Sequence, residues 1–151
     1  RGVDSGGVRS LEIYFGALRN ATLGNGASGK TGIQDLVSPR EALPNTLYLT
    51  GNWDIQEEFA EAKSAGARII FRYSAKDVYL VASAPQSIKA KILLDGKLVS
   101  DSAGEDIAQS EIIIKEDRLY KIIKDPAGYG EHTLEIIIDN PGLRVFTLTF
   151  G

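Results

Sequence analysis

"ARIIFRYSAKDVYLVAS", residues 67–83, decides the fold. Its side chains alternate with a period of two. Ala67, Ile69, Phe71 and Tyr73 share one face, while Arg68, Ile70 and Arg72 share the other. After a break near Ser74–Lys76, Val78, Leu80 and Ala82 oppose Asp77, Tyr79, Val81 and Ser83. Period two is extended backbone, so the stretch is read as two strands.

The same signal continues toward the C-terminus. "IKAKILLDGKLVS" (88–100) contains Asp95-Gly96, the strongest hairpin signal of the chain. "SEIIIK", "RLYKIIKD", "HTLEIIID" and "LRVFTLTF" follow, separated by Glu116-Asp117, "PAGYGE" and "NPG". In "RLYKIIK", alternation places Arg118, Tyr120, Ile122 and Lys124 on one face. Toward the N-terminus, "TLYLTGNW" (46–53) sets Leu47 and Leu49 against Tyr48 and Thr50. Residues 54–67 are ambiguous: Asp54, Glu57 and the stripe Ile55, Phe59, Ala62 suit a capped helix, yet the surrounding strands favour extended backbone. Turn signals recur every 8–12 residues or so, the spacing of a sandwich or barrel. The expected fold is therefore all-β and antiparallel.

"GNGASGKT" (24–31) stands apart. It satisfies the phosphate-loop pattern G-x-x-x-x-G-K-[ST] through Gly24, Gly29, Lys30 and Thr31. That chemistry requires a buried strand entering the loop and a helix leaving it, so that the helix N-terminus faces the phosphates. "ALRNATL" precedes the loop and "GIQDLVSPREALP", broken by Gly32, Pro39 and Pro44, follows it. Neither supplies the frame. Asp95 and Asp139 end apolar runs as a magnesium-binding strand would, but each is explained as a turn residue. A nucleotide site is therefore the remote alternative, and the four glycines between residues 24 and 32 are read as a mobile loop.

Composition narrows the rest. The chain has 151 residues, 43% hydrophobic and 25% charged, with net charge −3. These values fit one globular domain and argue against a nucleic-acid stripe or an anionic-membrane surface. No apolar run is long enough to span a membrane, so no direct insertion is expected. The absence of cysteine excludes thiol catalysis and thiolate metal sites within these residues. The chain contains no methionine and starts at Arg1, and is read as a piece of a longer protein. No cofactor or metal is expected. Acidic loop residues such as Asp101, Glu105 and Asp106 are weak calcium candidates, lacking the spaced ladder of a calcium loop. His132, the single histidine, is read as a surface residue in a turn entering a strand.

Several segments, taken in order, carry a family resemblance. They are "LEIYFGALRN", "LYLTGNW", "ARIIFRYSAKDVYLV", "ILLDGK", "RLYKIIKD", "GEHTLEIII" and "VFTLTFG". Together they resemble the C-terminal domain that follows a thioredoxin-like domain in DipZ-type and related cytochrome c biogenesis proteins. The opening "EIYFG" and closing "FTLTFG" are the most specific pair, and "LDGK…LY…GEHTLEI" is also similar to galactose-binding-like jelly rolls. The resemblance implies an antiparallel two-sheet β-sandwich, a jelly roll of carbohydrate-binding-module type, over residues 11–151. Residues 1–10 would be a linker or frayed end after an absent thioredoxin-like domain. It further implies a non-catalytic accessory domain, outside the cytoplasm, of a membrane-anchored or exported parent that performs thiol-disulfide chemistry with its own Cys-x-x-Cys.

Two functions compete within that frame. The first is binding of a glycan-like ligand by aromatic stacking and oriented polar bonds. Trp53 and Tyr120 are the candidate platforms, Arg72 and Arg19 the polar partners, with Tyr79 and Tyr14 beside them. A groove combining Arg72, Tyr79 and Tyr120 is the specific expectation. The second is a docking domain for the adjacent thioredoxin-like domain or a redox client, marked by an apolar patch near residues 8–20.

Overall fold

Alternation over 67–83 builds two strands that belong to different layers. The computed structural model describes residues 9–151. Strands β5 (Ala67–Ala75) and β6 (Asp77–Ser83) are adjacent in sequence but do not pair with each other. Ala75 and Val78 both point inward, three residues apart, where an uninterrupted strand would place inward residues two apart. That phase change is the chain crossing from one layer to the other at Lys76, whose N–H donates to the Gly151 carbonyl at 2.9 Å.

The first layer is formed by part of β3 (Leu47–Ile55), then β5, β11 (Gly130–Ile138) and β7 (Ile88–Leu94), edged by β8 (Lys97–Leu98) and β9 (Glu111–Ile114). The second contains β10 (Arg118–Lys124), β6 and β12 (Arg144–Phe150), continued by β4 (Ala60–Ala62), the end of β3 and β2 (Gly32–Leu36). β1 (Ile13–Tyr14) pairs with β12 beyond β4. All these pairings are antiparallel, as expected, and no residue among those described is helical.

β3 joins the layers. Leu47–Thr50 pairs with β5, and Gly51–Ile55 pairs with β2. Gly51 sits at the changeover with φ of 92°, and a Cβ there would lie 2.8 Å from Ser64 Oγ. Left-handed backbone and close approach both require glycine at this bend. Between the layers lie Trp53, Ile69, Phe71, Leu80, Ile92, Tyr120, Ile136 and Leu148, all buried. Phe150 stacks on both Phe71 and Tyr73, at 5.4 and 5.7 Å between centroids.

Several local expectations hold. Asp95 and Gly96 both adopt positive φ, 55° and 81°, and close the β7–β8 hairpin. Within residues 54–67 the strand reading holds at both arms of a hairpin, with turns at 56–59 and 63–66: β3 ends at Ile55, turns through a Gln56 N–H to Phe59 carbonyl bond of 2.8 Å, and returns as β4.

The glycine loop differs from the reading of a mobile segment. The Asn25 side-chain amide donates to the carbonyls of Val37 and Leu49 at 2.8 and 2.7 Å. Asn20 Oδ1 accepts from Gly29 N–H at 2.7 Å, and Gln34 exchanges two bonds with Ala27. Side-chain amides thus tether a loop whose backbone glycines alone suggest freedom. The loop lies over the outer side of β3, which explains why Tyr48 is buried despite facing away from the core. Thr31 leads into β2 and not into a helix, so Lys30 has no phosphate cradle beside it. Replacing Lys30 by alanine is expected to leave a magnesium–ATP titration as flat as that of the parent. Saturable magnesium-dependent binding lost in the variant would overturn this.

Candidate functional site

The residues expected to form a ligand groove are dispersed. Trp53 is 0% exposed and lies in the inter-layer core, its indole N–H donating to the Thr50 carbonyl at 2.8 Å. Tyr120 is 1% exposed. Its hydroxyl donates to the Glu116 carbonyl at 2.7 Å and accepts from Lys115 N–H at 3.1 Å, while the Arg118 guanidinium covers the ring at 3.9 Å. Neither side chain offers a free stacking face, which corrects the expectation that they are platforms. Tyr120 faces inward opposite Leu80, and a bulge between Lys121 and Ile123 breaks the regular alternation expected for β10. Arg72 lies on the outer face of the other layer, bonded to Glu131 at 3.0 Å. The Arg72–Tyr79–Tyr120 groove is therefore not assembled, because the crossover at Lys76 separates Arg72 from Tyr79.

Tyr79 does face outward. It sits between Lys121 on β10 and Thr149 on β12. With Asp77, Glu105 and Lys124 it lines an open cleft of 410 Å³. The acidic loop beside this cleft is occupied by its own cations. Asp106 accepts from Arg118 Nη2 at 3.1 Å and from Lys121 N–H at 2.7 Å, and Glu105 accepts from Lys121 Nζ at 3.4 Å. Burial raises the Asp106 pKa, but the Arg118 and Lys121 contacts outweigh it and hold the carboxyl below its ordinary value.

Tyr14 and Arg19 are brought together. The Arg19 guanidinium lies 3.6 Å from the Tyr14 ring centroid, and the Tyr14 hydroxyl donates to Glu12 at 2.8 Å. The Glu12 bond, with burial, raises the phenol pKa, while Arg19 opposes the shift. Entry residues 13–18 are bonded to two neighbours. Phe15 N–H donates to the Phe146 carbonyl at 3.1 Å, and Ala17 and Leu18 donate to Gln56 and Glu57 at 2.8 and 3.1 Å. A cavity of 260 Å³ opens there, lined by Tyr14, Leu18, Arg19, Glu57, Glu58 and Phe146. On the same segment Leu11 is 81% and Leu18 65% exposed. Beside Leu11, Ile13 and Asn45 help line a second hollow of 350 Å³.

The two most specific segments of the resemblance, "EIYFG" and "FTLTFG", are neighbours in space, since β1 pairs with β12 as Ile13 with Leu148 and Tyr14 with Thr147. Residues 10–151 match the family described as the thioredoxin-like C-terminal domain. The chain belongs to that family. This thioredoxin-like C-terminal domain is 26% identical over 140 residues to Protein DipZ of Mycobacterium bovis, and equally to Protein DipZ of Mycobacterium tuberculosis. The alignment covers 93% of the chain and 18% of each DipZ, so the domain spans less than a fifth of those relatives. Among solved structures it is similar to a family two carbohydrate esterase from Cellvibrio japonicus, with TM-score 0.55 and 12% identity over 68% of this chain and 29% of the esterase. The corresponding esterase from Clostridium thermocellum, in complex with cellohexaose, gives TM-score 0.53 and 10% identity over 66% and 29%. At such identities the likeness is one of fold.

One cluster in the thioredoxin-like C-terminal domain escapes the sequence reading. His132 is neither in a turn nor freely exposed. It lies within β11 and is held between two carboxylates, with Nδ1 2.6 Å from Asp95 Oδ2 and Nε2 3.1 Å from Asp125 Oδ2. Asp95 was legible as a turn residue, and its second oxygen accepts from Thr133 N–H at 2.8 Å. Nothing in a window of sequence places Asp125 and Asp95 on either side of His132, because three separate elements meet there.

Proposed function

We propose that this chain is a non-catalytic accessory domain of an extracytoplasmic, DipZ-type thiol-disulfide redox protein, and that its entry face docks protein. The occupant is the thioredoxin-like domain carried by the same polypeptide. The observation that carries this reading is the pair of exposed leucines, Leu11 and Leu18, flanking the Tyr14–Arg19 stack on one segment. Tyrosine and arginine are the residues enriched at protein interface centres, and the two exposed leucines give the same segment an apolar surface. The guanidinium over Tyr14 also occupies the ring face a sugar would need. Both nitrogens of the sole histidine are engaged by carboxylates, so it has no nucleophile to activate.

The test uses the longer polypeptide that contains both domains. Leu11→Asp combined with Leu18→Asp is expected to loosen the two domains, seen as increased amide exchange of the entry segment and an expanded scattering profile. The melting temperature of this isolated domain should barely move, since both side chains are exposed. Unchanged exchange and scattering in the double variant would remove the docking reading.

A glycan ligand is the second reading, favoured by the outward Tyr79 ring above its cleft and by the fold likeness to an esterase crystallised with cellohexaose. Titration of the parent domain with a glycan panel, repeated on Tyr79→Ala, separates the two.

A further inference from the structure

The cluster around His132 ties together three segments that are remote in sequence. Asp95 belongs to the β7–β8 turn, Asp125 follows β10, and His132 begins β11. The titratable groups facing the imidazole from the surrounding elements are Asp95, Asp125 and, on β5, Tyr73, whose ring centroid lies 6.1 Å away. Asp125 is buried, and its other oxygen accepts from Ala127 N–H at 2.9 Å. Its main-chain carbonyl accepts from Gly128 N–H at 3.0 Å. The Tyr73 hydroxyl is buried without a partner, and burial followed by the Asp125 and Asp95 charges raises its pKa far above the ordinary tyrosine value, so it stays neutral.

An imidazole ring can donate to two carboxylates only when both nitrogens carry protons. We propose that His132 is a pH-dependent latch: as imidazolium it clamps the β7–β8 turn to the 125–130 connection, and loss of one proton releases that connection. Of the two contacts, the longer, Nε2 with Asp125, is the one assigned to fail. A buried carboxylate would then face a nitrogen lone pair, and the connection opens to rehydrate it. The latch adjoins the entry segment. Tyr73 pairs with His132 across the ladder, and Ser10 is bonded to the next residue, Ser74, at 2.8 and 2.9 Å.

Burial opposes protonation, but the Asp95 and Asp125 carboxylates outweigh it and raise the His132 pKa. A raised folded pKa stabilises fully below the unfolded value of about 6.5, and that contribution disappears as pH rises through the folded pKa. The latch is therefore closed in acid and open in alkali.

The test is an imidazole titration by NMR on this domain, together with amide protection factors for Ala127 and Gly128 on both sides of the measured pKa. His132 should titrate above about 6.5, and each unit of excess corresponds to about a tenfold loss of protection across the transition. Asp125→Asn should lower the His132 pKa and abolish the pH step in protection. His132→Gln, a neutral side chain at all pH values, should show no step either, with unfolding free energy independent of pH over the same range. A His132 pKa at or below the ordinary value, or loop protection independent of pH in the parent, overturns the proposal.

Discussion

Trp53→Ala should lower the unfolding free energy by about 3–5 kcal/mol, the range for removing a large aromatic from a core that cannot close around the void. For a domain of this size the melting temperature then falls by about 6–20 °C. The cause is specific. Trp53 is fully buried on β3, paired with Gln34 on one side and Ala62 on the other, at the place where β3 has changed layers. Its indole N–H also donates to the Thr50 carbonyl next to Gly51, so truncation removes a hydrogen bond at the bend. Trp53→Phe retains most of the volume and isolates the hydrogen-bond loss, for which about 0.5–1.5 kcal/mol is expected. Denaturant titration of the two variants checks both figures. An unchanged midpoint in Trp53→Ala, accompanied by loss of a glycan signal, would place the side chain at the surface and restore it as a stacking platform.

The strands were legible because each carries its own record. The β5 pattern Ala67, Ile69, Phe71, Tyr73 is buried residue by residue as the alternation implies, and Asp95-Gly96 turns where such a pair should. What alternation cannot report is which strand lies beside which. Tyr79 and Arg72 were placed in one groove because each shares its strand's polar face, yet those faces belong to opposite layers of the sandwich. The polar face of β5 is instead occupied by cross-strand ion pairs, Arg68 with Glu135 and Arg72 with Glu131. Tyr120 was misjudged for a different reason. Strict alternation grouped it with Arg118 and Lys124, but a bulge after Lys121 buries both Ile122 and Ile123 and puts Lys124 on the opposite face, beside Asp77. Tyr14 and Arg19 stack on one another within a single short segment, whereas Asp95, Asp125 and His132 converge only through the fold.

Gly16→Ala is expected to damage both stability and the entry face. A Cβ at this position would lie 2.3 Å from the Glu57 carbonyl oxygen, 2.4 Å from the Glu58 carbonyl carbon and 2.5 Å from Glu58 Cα. All three contacts are main-chain atoms, so no rotamer change relieves them. The entry segment must lift from the 56–58 turn, stretching the Ala17 and Leu18 N–H bonds and opening the wall beneath Tyr14 and Arg19. Overpacking of this kind typically costs about 1–3 kcal/mol. Gly29→Ala is the matched control: its φ of 74° brings backbone strain, but nothing lies within 4 Å of the added atom. Its loss should be near 1 kcal/mol, the cost of left-handed backbone alone. The two variants therefore separate close approach from conformational freedom. Inter-domain amide exchange in the two-domain polypeptide adds the functional readout. Gly16→Ala should raise it along with lowering stability, Leu11→Asp with Leu18→Asp should raise it at constant stability, and Gly29→Ala should leave it unchanged. If Gly16→Ala is as mild as Gly29→Ala in both measurements, the entry segment is not seated on the 56–58 turn, and the docking face built on that seat fails with it.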